Sequence, residues 1–438
     1  MRHIRSLISM KIRTAARNLN IRKRFMALTS QEKIISKRYY RIFYISLIKS
    51  VKSDDEDLKF KYIKVAKWAY CKYLLEVVDP GIVLPPPARY DRTIDSFSES
   101  QCWNFFECRK GDLYRLLREL KFPTTCHFDN QGKLSGEEVL LRGLYELVSG
   151  EDQFSISENV FGRDQSYQSR AFAFFIDHIY STFLDLLSDN LQWWKESGLL
   201  EQSRAAIQRK LESRGFQFSE DELNTVFAFI DCNCLECCRV GGGPRGDGPD
   251  ADRWHCNIQR AFYNGWKSIH GLKHQTVDIA HGFTIDMFGP TSLRRNDLFL
   301  LGKSRLTQRL AALFAGEAIP YNVYGDSIYP HLPHLRSSWR GVNGITDEQK
   351  AENNAYKSVR ISIEWNYGVT SNLFQYLRNL DKLKVMNNSY VVKVYTVATL
   401  LRNCHVALYG GISSSYFELS MPDDMLEKYL RQEPLIVN

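Results

Sequence analysis

Apolar residues in this chain recur at helical spacing through its first half, then shift near residue 224 to short strand-like runs. Residues 1–90 read as helices with basic faces, interrupted by the acidic run 53–57 and closed by a proline-rich linker at 80–87. Residues 100–215 read as all-helical. Positions 112–120 are periodic, 128–132 form a turn, and Ser135 with Glu138 reads as a capping box opening a helix over 139–148. A short apolar segment at 155–161, then Gly162, precedes a longer helix from about 165 to 187. That outline suits a helix-turn-helix and equally suits a plain helical hairpin.

Beyond residue 224 the pattern predicts a strand that Asp231 ends and a hairpin pairing 273–280 with 283–288 around His281-Gly282. A loop at 289–297, a helix over 298–314 and a strand over 321–325 ending in Gly325-Asp326 follow. Val359, Ile363 and Tyr367 then share one side of an amphipathic helix, and 388–402 and 423–431 are closing helices. The expected fold class is α/β, a mixed sheet covered on both faces and preceded by an all-helical region. The expected divisions are a basic arm at 1–90, a helical DNA-binding region at 100–215, a catalytic domain at 222–385 and a helical extension at 386–438.

Composition changes this picture in two places. The chain has 438 residues with net charge +8, yet residues 1–50 hold thirteen Lys or Arg against Glu32 alone, so the basic excess is local. Such an arm suits a polyanion. Its Arg22-Lys23-Arg24 cluster reads as a nuclear-import signal, a phosphate-contacting arm or a solvated helix face, and the acid-free first 31 residues also suit a mitochondrial presequence. No apolar run is long enough for a membrane helix, and no secretory signal is expected. Five of the ten cysteines fall between Cys232 and Cys256. With His255 they offer zinc ligands, but the adjacent Cys237 and Cys238 make poor geometry, so free thiols in a reducing compartment are expected.

Three acids stand out at strand ends and on a later helix: Asp231, Asp326 and Glu364. Phosphodiester cleavage must generate a nucleophile beside an anion and neutralise a leaving oxygen, which two divalent cations held by carboxylates accomplish together. Asp278, Asp286 and Asp297 also lie near strand or loop ends, where aspartate is common for capping alone. Arg360 precedes Glu364 by one helical turn, so the two share a face. Lys267, His270 and Lys273 form a basic patch beside Tyr263 and Trp266, suited to a DNA backbone or to a sheet edge. In the helix-turn-helix reading, Arg163, Gln165, Ser166, Gln168, Ser169 and Arg170 begin the recognition helix.

Several motifs occur in one order: Phe-Ile-Asp231-Cys-Asn, the run from Ile258 to Lys273, the run from Gly289 to Asp297, Tyr-Gly-Asp326-Ser-Ile-Tyr, and Arg360-Ile-Ser-Ile-Glu364-Trp-Asn-Tyr-Gly368. In these the chain resembles a PIF/Harbinger-type DDE transposase over about residues 225–380. The resemblance implies an RNase H-like domain in which Asp231, Asp326 and Glu364 bind two Mg²⁺ (or Mn²⁺) ions, with Arg360 and Asp297 in support. It implies cleavage at transposon ends, joining of 3′ hydroxyls to target DNA, a nuclear location (or a cytoplasmic one with partner-dependent import), assembly on double-stranded DNA as a homo-oligomer, and in many members a Myb-like DNA-binding partner. The sequence departs from the family in a long cysteine-rich loop after Asp231, and in Asn296, where histidine is common. A catalytically silent DNA-binding descendant and a nuclease without strand transfer are the competing functions.

Overall fold

The computed structural model describes residues 92–435 apart from 130–131, 219–223, 240–258, 342–343 and 386–389, together with Ser46, Val65, Ala66 and Ala69. The chain divides into two compact units, Met1–Arg89 and Tyr90–Asn438. The Arg22-Lys23-Arg24 cluster, the acidic run, the proline-rich linker, the glycine loop at 241–249, His255 and Cys256 lie outside the described residues. The second unit carries the candidate site.

Its first elements are α1 (Glu99–Phe106), α2 (Lys110–Glu119), the hairpin of β1 (Thr125–His127) and β2 (Lys133–Ser135), and α3 (Gly136–Ser149). Ser135 caps α3, its Oγ accepting the Glu138 N–H at 3.1 Å. The short α4 (Gln153–Ile156) runs into a wide turn ended by Gly162, whose positive φ reverses the chain into α5 (Gln165–Phe183). The segments α6 (Asp185–Ser188), α7 (Leu191–Glu196) and α8 (Leu199–Ser213) follow, so the helix predicted over 165–187 is two pieces meeting at Leu184.

Helices α3 and α5 approach closely because Gly143 lacks a side chain; a Cβ there would stand 2.1 Å from Phe175 Cγ. Gly143→Ala is therefore expected to destabilise the unit by about 1–3 kcal/mol through overpacking, despite alanine's better helix propensity. A lowered urea midpoint at unchanged slope is the measurement.

Six strands among the described residues form one mixed sheet: β3 (Val226–Glu236), β4 (Tyr263–Asn264), β5 (Ile269–Ile279), β6 (Thr284–Ser292), β7 (Asn322–Gly325) and β8 (Leu335–Ser337). The order is β6-β5-β3-β7-β8, with β4 on the start of β5. Pairs β3/β5 and β5/β6 are antiparallel, whereas β7 runs parallel to both β3 and β8. The hairpin around His281-Gly282 forms where its alternation predicts, with Gly282 at φ 92°.

The apolar start of β3 serves two cores. A bulge between Val226 and Ala228 puts Phe227, Ala228 and Ile230 in one buried cluster and Val226 and Phe229 in the other. The larger cluster also takes in α9 (Asp297–Ser304) and α10 (Leu306–Leu313). The expected single helix over 298–314 breaks between them at Arg305, which has φ 52°. The second cluster packs α8 and α11 (Asp347–Leu373) against the sheet through Ile207, Tyr356, Val359 and Ile363. Helix α12 (Val391–Tyr409) is buried along most of its length, and α13 (Ile412–Tyr416) and α14 (Met425–Arg431) close the unit. One hydrophobic cluster runs from Ile94 to Leu430 and so joins the helical region, the sheet and the last helices.

Candidate active site

Asp231 does not end its strand as the pattern predicts. β3 continues to Glu236 because β5 pairs with it as far as Gly271. On the other side, however, β7 stops at Gly325, and Phe229 pairs with Tyr324. Two residues further on, Asp231 and Asp326 therefore stand at the carboxyl end of a parallel strand pair, where backbone spacing is about 5 Å. Asp326 begins a tight turn, its Oδ1 accepting the Ile328 N–H at 3.0 Å. No Asp326 Oδ2 hydrogen bond occurs among the described residues.

Helix α11 delivers the other two groups. Thr346 caps it, and its apolar stripe of Tyr356, Val359 and Ile363 fixes the helix rotation against the sheet. This rotation aims Arg360 at β3. Arg360 Nη1 donates to Asp231 Oδ2 at 3.0 Å, and Nη2 donates to Glu364 Oε1 at 3.3 Å. One guanidinium thus bridges two of the three acids. The Asp231 and Arg360 side chains are only 20% and 17% exposed, while Glu364 is 55% exposed on the open side. The second Asp231 oxygen, Oδ1, accepts the N–H of Cys232 at 2.7 Å. Beneath lies a buried floor in which Thr276, the partner of Asp231 across β3/β5, bonds Tyr367 at 2.8 Å.

Burial pushes the Asp231 carboxyl up to about 6, and the Arg360 cation and the Cys232 N–H only partly counter it. The nearby charges of Asp326 and Asp297 add to the rise, which places these acids in one electrostatic neighbourhood. Among the described residues no three His, Cys, Asp or Glu side chains are already arranged to hold a metal ion. The donor set nevertheless suits a hard cation: carboxylate oxygens where a parallel strand pair ends, with a guanidinium already serving as counter-ion to two of them.

The remaining candidates divide by burial. Asp297 opens α9 and accepts Lys273 Nζ at 2.7 Å. Lys273 is buried; burial pulls its pKa down, but Asp297 and the nearby Cys232 and Cys234 outweigh this and leave it raised. It is an internal ion-pair partner, not the DNA-backbone contact expected of it. Asn296 caps α9 through a 3.0 Å bond from the Phe299 N–H, a role that asparagine fills well. Lys267 is exposed with its Nζ 3.3 Å from Cys234 Sγ, and Trp266 beside it is 95% exposed. His270 is half-buried against the Tyr263 ring, and burial lowers its pKa.

In the helical region Gln168 is fully buried, bonded to Arg142 and Glu146, so it faces away from any DNA. Arg163 reaches Glu138 at 3.0 Å, and Arg170 bonds Ser166. Gln165 is exposed and Ser166 and Ser169 are half-buried. The eight described cysteines are free thiols.

Residues 251–403 match the family model described as DDE superfamily endonuclease. The match spans Asp297, Asp326, Arg360 and Glu364, and Asp231 lies upstream of it. No curated protein and no solved structure matches the chain. The DDE endonuclease match supports a nuclease of the DDE transposase type, in a mixed α/β unit compatible with such an enzyme. Two contributors to the site escaped the sequence pattern. Tyr367 reads as one more apolar stripe residue, yet its hydroxyl reaches Thr276. The Cys232 N–H is a backbone group that no side-chain motif marks.

Proposed function

We propose that this chain is a metal-dependent DNA endonuclease of the PIF/Harbinger DDE type, with Asp231, Asp326 and Glu364 holding Mg²⁺ or Mn²⁺. The observation that carries this reading is the placement of Asp231 and Asp326 where the parallel pairing of β3 with β7 ends, with Glu364 tied to Asp231 through Arg360. The strand order, three antiparallel strands followed by two parallel ones, supports an RNase H-like fold. Bound ions would supply a hydroxide nucleophile and neutralise the leaving 3′ oxygen. The chain's own part is to hold three carboxylates at a half-covered cleft and to present cations to the DNA.

For the DNA path, Arg260, Lys267, Arg294 and Arg295 are exposed cations and Trp266 is an exposed ring, while Asp278 and Asp286, the acids on the neighbouring strands, are buried. Gln165 and Ser166 remain candidates for a helix-turn-helix contact. Strand transfer, assembly as an oligomer on DNA, a Myb-like partner and a nuclear location belong to the same proposal and rest on the motif resemblance.

A silent DNA-binding descendant is favoured by one observation, the guanidinium standing between two of the acids. Incubating purified protein with a labelled duplex and Mg²⁺ separates the readings. Mg²⁺-dependent nicking supports the endonuclease, and binding without nicking in Mg²⁺ or Mn²⁺ overturns it. Because a cation needs the ionised carboxylate and Asp231 is pushed up to about 6, protons compete with the metal well above the ordinary carboxylate range. Mn²⁺ affinity is expected to fall as pH drops through about 6, measurable by calorimetry between neutral and mildly acidic buffers.

A further inference from the structure

We infer that Arg360 is a positioning residue that holds Asp231 and Glu364 in place before a divalent cation arrives, and that this cation displaces it. The inference rests on the cation-binding reading proposed above.

Asp231 has two oxygens, and both are engaged. Oδ1 takes the Cys232 N–H at 2.7 Å, a bond within β3 itself. The other oxygen, Oδ2, faces Glu364's helix, and Arg360 Nη1 holds it at 3.0 Å. The same guanidinium reaches Glu364 Oε1 at 3.3 Å. A hard divalent cation binds a carboxylate oxygen at about 2.1 Å, so a guanidinium kept on that oxygen would stand within roughly 5 Å of it with like charge. Like charge therefore sets the guanidinium and the cation in competition for Oδ2.

Asp231 and Arg360 are largely covered, and Glu364 marks the exposed side of the cleft. A phosphodiester would enter from that side, and the planar fork of arginine matches two phosphate oxygens as it matched two carboxylates. Asp231 and Glu364 would then hold the cation while Arg360 would be free to meet the substrate, which links metal loading to DNA gripping.

The test is calorimetric titration of the full chain with Mn²⁺ in the absence of DNA, for wild type, Arg360→Gln, Arg360→Lys and Asp231→Asn, each checked by a thermal melt. Arg360→Gln is expected to bind Mn²⁺ roughly tenfold more tightly, the loss of one charge-assisted competitor, while cutting duplex more slowly than wild type. Arg360→Lys, which keeps the charge without the fork, should fall between the two and carries the same test if the glutamine variant does not fold. An arginine that serves only as scaffold would leave cation affinity unchanged or weaken it. If Asp231→Asn weakens Mn²⁺ binding but Arg360→Gln binds no more tightly than wild type, the displacement idea is overturned and the endonuclease reading stands. If Asp231→Asn leaves Mn²⁺ binding untouched, the carboxylate reading falls and the displacement idea with it.

Discussion

Asp231→Asn is expected to lower Mg²⁺-dependent cleavage of duplex DNA by about 10³-fold or more, since losing a charged metal ligand removes several kcal/mol of transition-state stabilisation. The substitution is close to isosteric. Its side-chain oxygen can still accept the Cys232 N–H, so β3 keeps its local geometry. Removing a carboxylate whose ionisation is disfavoured by burial relieves some cost, but the new amide N–H faces the Arg360 Nη1 donor, so a modest fall in melting temperature is expected. Asp326→Asn is expected to match it in rate loss, because both acids stand where the parallel β3/β7 pairing ends and would share the same cations. A single-turnover nicking assay with a labelled strand measures the effect. Cleavage that persists within tenfold in both variants would remove these residues from the chemistry.

A second large effect is expected far from the open cleft, at Arg402 on α12. This side chain is buried and donates to the Gly282 carbonyl and to Thr284 Oγ1. Thr284 Oγ1 in turn donates a hydrogen bond to Asp278 Oδ1 at 2.8 Å, and Asn366 of α11 donates to Asp278 Oδ2 at 2.7 Å. Burial holds the Asp278 carboxyl above its usual range, with the Arg402 cation the largest opposing influence. Arg402→Met keeps the volume but strands a buried carboxylate without its cation, at a cost of about 3–5 kcal/mol.

The sign with pH follows from the raised value. The folded state holds the Asp278 proton more tightly than the unfolded one, so this group's effect on stability worsens as pH rises through the carboxylate range. The Arg402→Met deficit is therefore expected to be largest at neutral pH and to shrink in acid, where the carboxyl folds neutral. Adding Asp278→Asn should recover much of the loss, because the isolated charge is then gone. Urea midpoints of the single and double variants at two pH values measure all three expectations.

Both effects trace to one architectural feature: helices α11 and α12 bring polar side chains onto the sheet face that carries Asp231, Thr276 and Asp278. How much of that was legible beforehand differs by element. The hairpin around His281-Gly282, the strand ending at Gly325 and the amphipathic face of α11 were all readable, since each follows from local alternation and a turn residue. The break at Arg305 and the extension of β3 past Asp231 were not. Helix periodicity runs unbroken across residue 305, and strand length was set by a partner strand that begins 33 residues after β3 ends. Gln168 and Lys273 show the same limit from the polar side. Their side-chain chemistry suits DNA, but a neighbouring element supplied each with an internal partner, Glu146 in one case and Asp297 in the other.

The sequence by itself determined the local vocabulary of this protein: the switch from helical to strand spacing, the residue types able to hold a hard cation, the turn between Arg360 and Glu364, and the basic excess of the first 50 residues. These depend on spacing and side-chain chemistry alone. Only the tertiary structure decided that Asp231 and Asp326 share one end of a parallel pair, that a guanidinium lies between two of the acids, and which of the polar candidates face inward. Those outcomes depend on register and on burial, which are set by chain segments distant in sequence that no local pattern encodes.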